Sequence, residues 1–238
     1  MKRFSDDEIK EIRLLIEKGA SLREISVEVG HCKSAVQYQA AKIRGWKPRG
    51  TTFHPEALTE AELGWLIGLY AGDGSRNLRK KGYSYSIKFA LNDKEYPSVE
   101  RVETLLQRCG IRTWRSIAGK RVYVRCESKS LYHFVEEYLE WEGTKKSKSI
   151  RLRDFDSCHD AFLFGFLCGI IDAEGGTKRL YISTTSQRLS DDILSICQKN
   201  DIPSRRYDYD VFHIYLRKAN FQEACAKHNF SSIKHCRN

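Results

Sequence analysis

The hydrophobic positions of this chain keep three rhythms. From Ser5 to Ile43 they recur at helical spacing in three short runs. Ser5-x-x-Glu8 and Ser21-x-x-Glu24 each set a hydroxyl to accept from the backbone amide three residues on, while the glutamate reaches back. Gly19 and Gly30 stand where these helices must end. A third helix starts near Ser34, runs through Val36, Ala40 and Ile43, and meets Gly45. Two short helices joined by a glycine-containing turn, after a longer first helix, predict a helix-turn-helix over residues 1–46. The rhythm stops in residues 47–58 (KPRGTTFHPEAL), which hold two of the four prolines and read as a linker.

From about Thr59 the pattern is duplicated, with a first repeat over 59–150 and a second over 151–238. Each repeat opens with a glycine-rich apolar helix ending in acids: LGWLIGLYAGDGS at Leu63–Ser75 and FLFGFLCGIIDAEGG at Phe162–Gly176. In the first repeat a strand (Tyr83–Asn92), a helix (Pro97–Cys109), two strands (Arg112–Ile117 and Arg121–Cys126) and a helix (Ser130–Trp141) follow. In the second the order is strand (Arg179–Thr185), helix (Leu189–Lys199), strands (Ser204–Tyr209 and Val211–Arg217) and helix (Asn220–His228). The expected class is α+β: two fused αββαββα units forming a pseudo-twofold saddle of antiparallel sheets, preceded by an all-α helix-turn-helix. In the second repeat only Gly176-Thr177-Lys178 separates the apolar helix from the next strand, so its first hairpin strand must be short.

Within the apolar helices the glycines carry the next inference. Gly64, Gly68 and Gly72 recur every four residues, as do Gly165, Gly169 and Ala173, so each set forms one line along a helix. A glycine inside a helix costs about 1 kcal/mol relative to alanine. Such a stripe is compensated when two backbones pack closely, which here would bring the ends of both helices together with Asp73 and Glu174. An acid at a helix C-terminus meets the negative end of the helix dipole. Two such ends side by side compound the repulsion. A divalent cation with oxygen ligands relieves it, and two carboxylates holding Mg2+ beside a phosphate are the parts of metal-assisted phosphodiester hydrolysis.

Charge changes the picture of the strands. Lysine and arginine total 41 against 31 acids, a formal net charge of +10, which favours a polyanionic partner. Alternation turns Ser84, Ser86, Lys88 and Asn92 outward on one strand, and Arg121, Tyr123 and Arg125 on another. The second repeat turns out Arg179, Tyr181, Ser183 and Thr185, then His213, Tyr215 and Arg217. Acids are missing from 74–92, 104–126 and 175–190; a merely solvated face would mix both signs. These faces suit reading double-stranded DNA in a groove, with base edges met by polar side chains and phosphates by cations. In the third N-terminal helix Lys33, Ser34, Gln37, Tyr38, Lys42 and Arg44 are the expected DNA contacts. The connection TKKSKSIRLR (Thr144–Arg153) adds five positive charges, expected at phosphate.

Eight scattered cysteines without a C-x-x-C pair read as free thiols in a reducing intracellular compartment, cytoplasm, nucleoid or organelle matrix. No signal peptide is expected at Met1-Lys2-Arg3-Phe4. The longest apolar run, Phe162–Ile171, is too short to span a membrane. Cys225-x-x-His228 with His235-Cys236 matches no familiar zinc spacing, and Cys225 falls on the apolar face of a helix.

Leu66-Ile67-Gly68-Leu69-Tyr70-Ala71-Gly72-Asp73-Gly74 and Leu167-Cys168-Gly169-Ile170-Ile171-Asp172-Ala173-Glu174-Gly175 resemble the two nine-residue motifs of the LAGLIDADG homing endonucleases. The likeness runs from about Leu58 onward. It implies a site-specific endonuclease of the single-chain, two-motif type, acting as a monomer with Mg2+ or Mn2+. It further implies that the eighth motif residues, Asp73 and Glu174, bind metal together with the carbonyls of Gly72 and Ala173. The family also uses basic groups near the centre, for which Lys146, Lys148 and Lys234 are the candidates by position. The sixth position is Ala71 in one motif and Asp172 in the other, and Asp172 reads as structural. Two rival readings use the same fold: a catalytically inactive DNA-binding regulator of WhiA type, and an intron RNA maturase. In the regulator the helix-turn-helix follows the LAGLIDADG region, opposite to the order here.

Overall fold

A computed structural model describes residues 4–43, 52–78, 85–143, 145–176 and 179–235. The chain divides into two units, residues 1–50 and 51–238.

The first unit is three helices: α1 (Asp6–Glu17), α2 (Leu22–Glu28) and α3 (Lys33–Ile43). Both expected capping boxes form. Ser5 Oγ accepts from Glu8 N at 3.2 Å while Ser5 N donates to Glu8 Oε2 at 2.7 Å, and the Ser21/Glu24 pair repeats this at 3.3 and 2.7 Å. Gly19 and Gly30 close α1 and α2 at φ of 78° and 63°, where a side chain would be strained. Ile12, Ile25, Val29 and Val36 form a small core of their own.

The second unit opens with Phe53 and Leu58 buried in its core and a 3-10 turn at Pro55–Ala57. The end of the segment expected as a linker is therefore built into the fold. The first repeat consists of α4 (Glu60–Asp73), β1 (Gly74–Leu78), β2 (Tyr85–Asn92), α5 (Tyr96–Arg108), β3 (Thr113–Ala118), β4 (Arg121–Glu127) and α6 (Lys129–Tyr138). Its strands form an antiparallel sheet in the order β1-β2-β4-β3. The expected last helix stops at Tyr138 rather than Trp141. Leu139–Glu140 (β5) instead pairs with Arg151–Leu152 (β6), around the short helix α7 (Lys146–Ser149).

The second repeat consists of α8 (Asp160–Glu174), β7 (Tyr181–Thr184), α9 (Gln187–Lys199), β8 (Ser204–Asp208), β9 (Phe212–Leu216) and α10 (Lys218–His228). Its sheet has the order β7-β9-β8. Where the first repeat has β1, the second has a single bridge from Gly175 to Ile182, the shortening expected from its brief connection. The architecture is α+β and duplicated about the α4–α8 pair. Both of those helices are buried along nearly their whole length, and the inward residues of both sheets join them in one core.

Candidate active site

The glycine stripes lie where the two apolar helices touch. A Cβ on Gly64 or Gly68 would stand 2.0 or 2.2 Å from the carbonyl oxygens of Phe162 and Phe166. Reciprocally, a Cβ on Gly165 or Gly169 would stand 2.1 or 2.2 Å from those of Ala61 and Trp65. Nothing larger than hydrogen fits at these four positions. One turn further on, a Cβ on Gly72 would meet the Ala173 Cβ at 2.4 Å and the Glu174 Cγ at 3.0 Å. The two helices thus finish against each other, with Asp73 the last residue of α4 and Glu174 the last of α8.

Each helix end receives a lysine from the last segment of its own repeat. Lys146 Nζ donates to the carbonyls of Tyr70 (2.7 Å), Ala71 (2.8 Å), Gly72 (3.2 Å) and Gly74 (2.6 Å). Lys234 Nζ donates to those of Ala173 and Gly175, both at 3.3 Å. A cation on the free carbonyls of a helix C-terminus complements the dipole. Lys148, the remaining candidate by position, is exposed on α7. The basic connection is thus divided in use: Lys146 serves the helix end, Arg151 lies 3.5 Å from Glu140, and Lys145, Lys148 and Arg153 face solvent.

A third acid joins the group. Glu95, at the N-cap of α5, accepts from Asn92 N through Oε2 (2.9 Å) and pairs with Lys234 Nζ through Oε1 (2.9 Å). The sequence carried no signal for it, because Lys234 arrives from the far end of the chain. Burial, then the charges of Glu174 and Glu95, push the Asp73 carboxyl up to about 7. Glu174 reaches the surface, yet partial desolvation raises it too, against the pull of Lys146 and Lys234. Burial brings Lys146 down to about 8, opposed by Asp73 and Glu174. The site therefore concentrates negative charge in a poorly hydrated place, which favours an added cation.

Among the described residues no cluster of three or more His, Cys, Asp or Glu side chains could hold a metal ion. The oxygens that could hold a divalent ion here are those of Asp73, Glu174 and the backbone carbonyls of Gly72 and Ala173. That all-oxygen set fits Mg2+ or Mn2+. The zinc alternative finds no support in its described members. His228 bonds to Asn200 Oδ1 at 2.7 Å and stacks on Phe164, and His235 Nε2 donates to the Gly176 carbonyl at 2.6 Å.

The outward faces of the two sheets carry most of the expected DNA contacts. On the first, register aligns Ser75, Lys88, Arg125 and Trp114 in one row, and Asn92, Arg121 and Ala118 in another, with Tyr123 opposite Ser116. Ser86 stands across from Asn77. Lys88 and Arg125 both lie over the Tyr123 ring. On the second, Tyr181, Tyr215 and Arg205 form one row, and Ser183, His213 and Tyr207 the next. Ser183 Oγ bonds to His213 Nδ1 at 3.0 Å. Thr185 is turned aside, donating to the Ser147 carbonyl at 2.7 Å. With Ser183 and Glu174 it lines a cavity of ≈340 Å3 that also touches Gly72. Arg179 and Arg217 are exposed just beyond their strands.

Sequence reasoning missed Ser75, Asn77, Trp114, Ser116, Arg205 and Tyr207 on these faces. In the first unit Lys33, Ser34, Gln37 and Tyr38 share the exposed side of α3. The Lys42 side chain, Arg44 and Ser84 lie outside the described residues.

Residues 60–138 match the LAGLIDADG-like domain family. Over about 70% of the chain the fold is that of the homing endonuclease I-DmoI. The structure of an I-DmoI variant with its target DNA in the presence of Mg superposes at a TM-score of 0.55. It is 14% identical over 72% of this chain and 97% of that one. The structure of I-DmoI with DNA and Mn gives 0.54 at 14% identity, over 70% of this chain and 95% of that one. An uncharacterised protein of Methanocaldococcus jannaschii is 23% identical over 232 residues, covering 92% of this chain and 78% of the relative. Among the described residues no helix is long and apolar enough to cross a membrane.

Proposed function

We propose that this chain is a site-specific endonuclease that hydrolyses both strands of duplex DNA, each near the end of one apolar helix. The observation that carries this reading is the paired arrangement of α4 and α8. Their backbones touch, their terminal acids are crowded together, and each end has its own lysine. A purely structural helix pair has no need of crowded, poorly hydrated carboxylates.

Asp73, Glu174 and the carbonyls of Gly72 and Ala173 would hold Mg2+ or Mn2+. When bound, such an ion supplies Lewis acidity at the phosphate and makes water more acidic. Lys146 and Lys234 offset the negative charge that grows during phosphoryl transfer. Lys146, anchored on the carbonyls at the end of α4, holds its positive charge beside Asp73 and Glu174. The sheet faces position the duplex, and the N-terminal helices, read as a helix-turn-helix, extend the contact along it. The chain would act as a monomer, because both motifs reside in it. Cys32, Cys109, Cys126, Cys158 and Cys197 are free thiols, which suits a reducing intracellular compartment.

The test is cleavage of a tiled library of genomic duplexes with Mg2+ or with EDTA, the ends mapped by sequencing. The expected result is recurrent Mg2+-dependent breaks at one long site. Asp73→Asn should abolish double-strand cleavage and leave binding to that site intact. Loss of binding and cleavage together would argue for a structural Asp73.

A second reading, action on intron RNA, is favoured by one observation. Arg179, Arg205, Tyr207, Tyr209, His213 and Tyr215 line a groove of ≈580 Å3 on the second sheet. Exposed rings on a sheet suit the stacking of unpaired bases. Tighter binding of structured intron RNA than of duplex DNA, without any break in DNA, would move the assignment there.

A further inference from the structure

Asp172 occupies the sixth position of the second motif, where the first has Ala71. Its side chain is completely buried and accepts four hydrogen bonds. Trp65 Nε1 (2.8 Å) and Ile233 N (2.9 Å) donate to Oδ2, and Ser232 Oγ (2.6 Å) and Lys234 N (2.9 Å) donate to Oδ1. Three of these donors belong to residues 232–234, the segment that carries Lys234.

Arg101 holds the same segment from the other side. Its Nη1 donates to the Ser231 carbonyl at 3.1 Å, and its guanidinium lies over the rings of Trp65 (4.6 Å) and Phe230 (4.4 Å). Trp65 and Arg101 come from the first repeat, whereas Asp172 and the clamped segment come from the second. From the clamped segment Lys234 reaches Glu95 and the carbonyls of Ala173 and Gly175 at the end of α8, and His235 just beyond reaches Gly176. A buried carboxylate is tolerated when its oxygens are fully engaged, and removing its complement is costly. The first helix end is built without such a device. Its lysine is carried by α7, between β5 and β6, and Ala71 offers no acceptor side chain.

We propose that Asp172 is a positioning residue: it clamps residues 232–234 so that Lys234 stands at the end of α8, and it thereby serves cleavage of one DNA strand only. The strand consequence rests on the nuclease reading above; the clamp does not.

The experiment has two arms on the full chain. Asp172→Asn keeps the size of the side chain but turns one accepting oxygen into a donor facing other donors. In the first arm, hydrogen exchange is followed on metal-free protein. The amides of Ile233 and Lys234 should exchange about 10-fold faster or more, while those of β4 stay protected. In the second, each strand of the target duplex is labelled separately and cut with Mg2+. One strand should slow about 10²-fold, the effect of a misplaced assisting group. The other strand should stay within about threefold, so nicked duplex accumulates.

Lys234→Met should stall the same strand while the Ile233 amide stays protected, and Lys146→Met should stall the opposite strand. Ser232→Ala, which removes one donor and leaves the acid, should act in the same direction as Asp172→Asn and more weakly; it serves if the latter does not fold. Equal slowing of both strands by Asp172→Asn would overturn the proposal, as would unchanged protection at Ile233 and Lys234. Wild-type protein that cuts nothing would end the nuclease reading, and the exchange arm would still decide the clamp.

Discussion

The two repeats are nearly interchangeable where α4 meets α8 and quite different on their sheets. At the helix pair each side offers glycines to the other's carbonyls, at separations that agree within 0.2 Å. On the sheets, the first repeat presents four strands with Lys88, Arg121 and Arg125 outward, and the second presents three strands with Tyr181, Tyr207, Tyr215 and His213 outward. Tyr181 and Tyr215 lie 5.5 Å apart, Tyr207 meets Tyr215 edge-on at 5.6 Å, and Tyr209 is 72% exposed. Backbone-to-backbone contact leaves no freedom for side chains, whereas an outward face is limited only by what it binds. Symmetry persists where sterics impose it and lapses where a ligand is asymmetric.

The largest expected effect tests the rigid part. Gly169→Ala puts a methyl on the Trp65 carbonyl, and a backbone oxygen cannot swing aside. A loss of about 3 kcal/mol or more is expected, read as a lower urea midpoint at unchanged slope. The third step of the stripe sharpens the comparison, because Gly72 faces Ala173 and only one of the two can carry a methyl. Gly72→Ala alone should destabilise, and adding Ala173→Gly should recover most of the loss. Additive losses in that double-mutant cycle would show that the two helix ends do not share one space.

Next in size is the effect of the sheets on DNA affinity. If the first face neutralises phosphates, Arg121→Ala should weaken duplex binding on every sequence and reduce the slope of log K against log salt by about 1. Tyr215→Ala should weaken binding with little change of slope, since a ring releases no counterions. Equal slope changes for both variants would erase the distinction between the faces.

How much of this was legible in the sequence follows the same division. Capping serines announced α1 and α2, and the glycine stripes announced the helix pair, because each is a local pattern with one physical cause. β1 was hidden by Arg76, which takes an inward position opposite Ile87. It is accommodated by stacking over Tyr132 and Trp141 and by pairing with Glu136 at 2.8 Å. An arginine on the buried face removes the alternation that marks a strand. β5 and β6 are two residues each and show no period at all. At the site, Asp73 and Glu174 were readable from their place in a repeated motif. Glu95 was not, because it joins the site only through a lysine 139 positions away in the chain.

The smallest effect concerns the two acids themselves. In the folded chain Asp73 titrates near 7 instead of the ordinary 3.8. Between those values the folded chain holds a proton that the unfolded chain has released. Asp73 therefore favours folding at low pH, and that favour is lost as pH rises through about 7. Lys146 acts in the opposite sense above its value near 8, where the unfolded chain keeps the proton longer and stability recovers with pH. Metal-free protein should accordingly show a shallow minimum in Tm between these two values, and Mg2+ should raise Tm most there. Asp73→Asn should flatten the acid side of the minimum by roughly 3 °C. Glu174→Gln should flatten it less, because the Glu174 side chain reaches the surface. Scanning calorimetry of both variants from pH 5 to pH 9 decides the matter. An equal effect of the two substitutions would place both carboxylates in the same surroundings, and the two ends of the helix pair would then differ only in how their lysines are held.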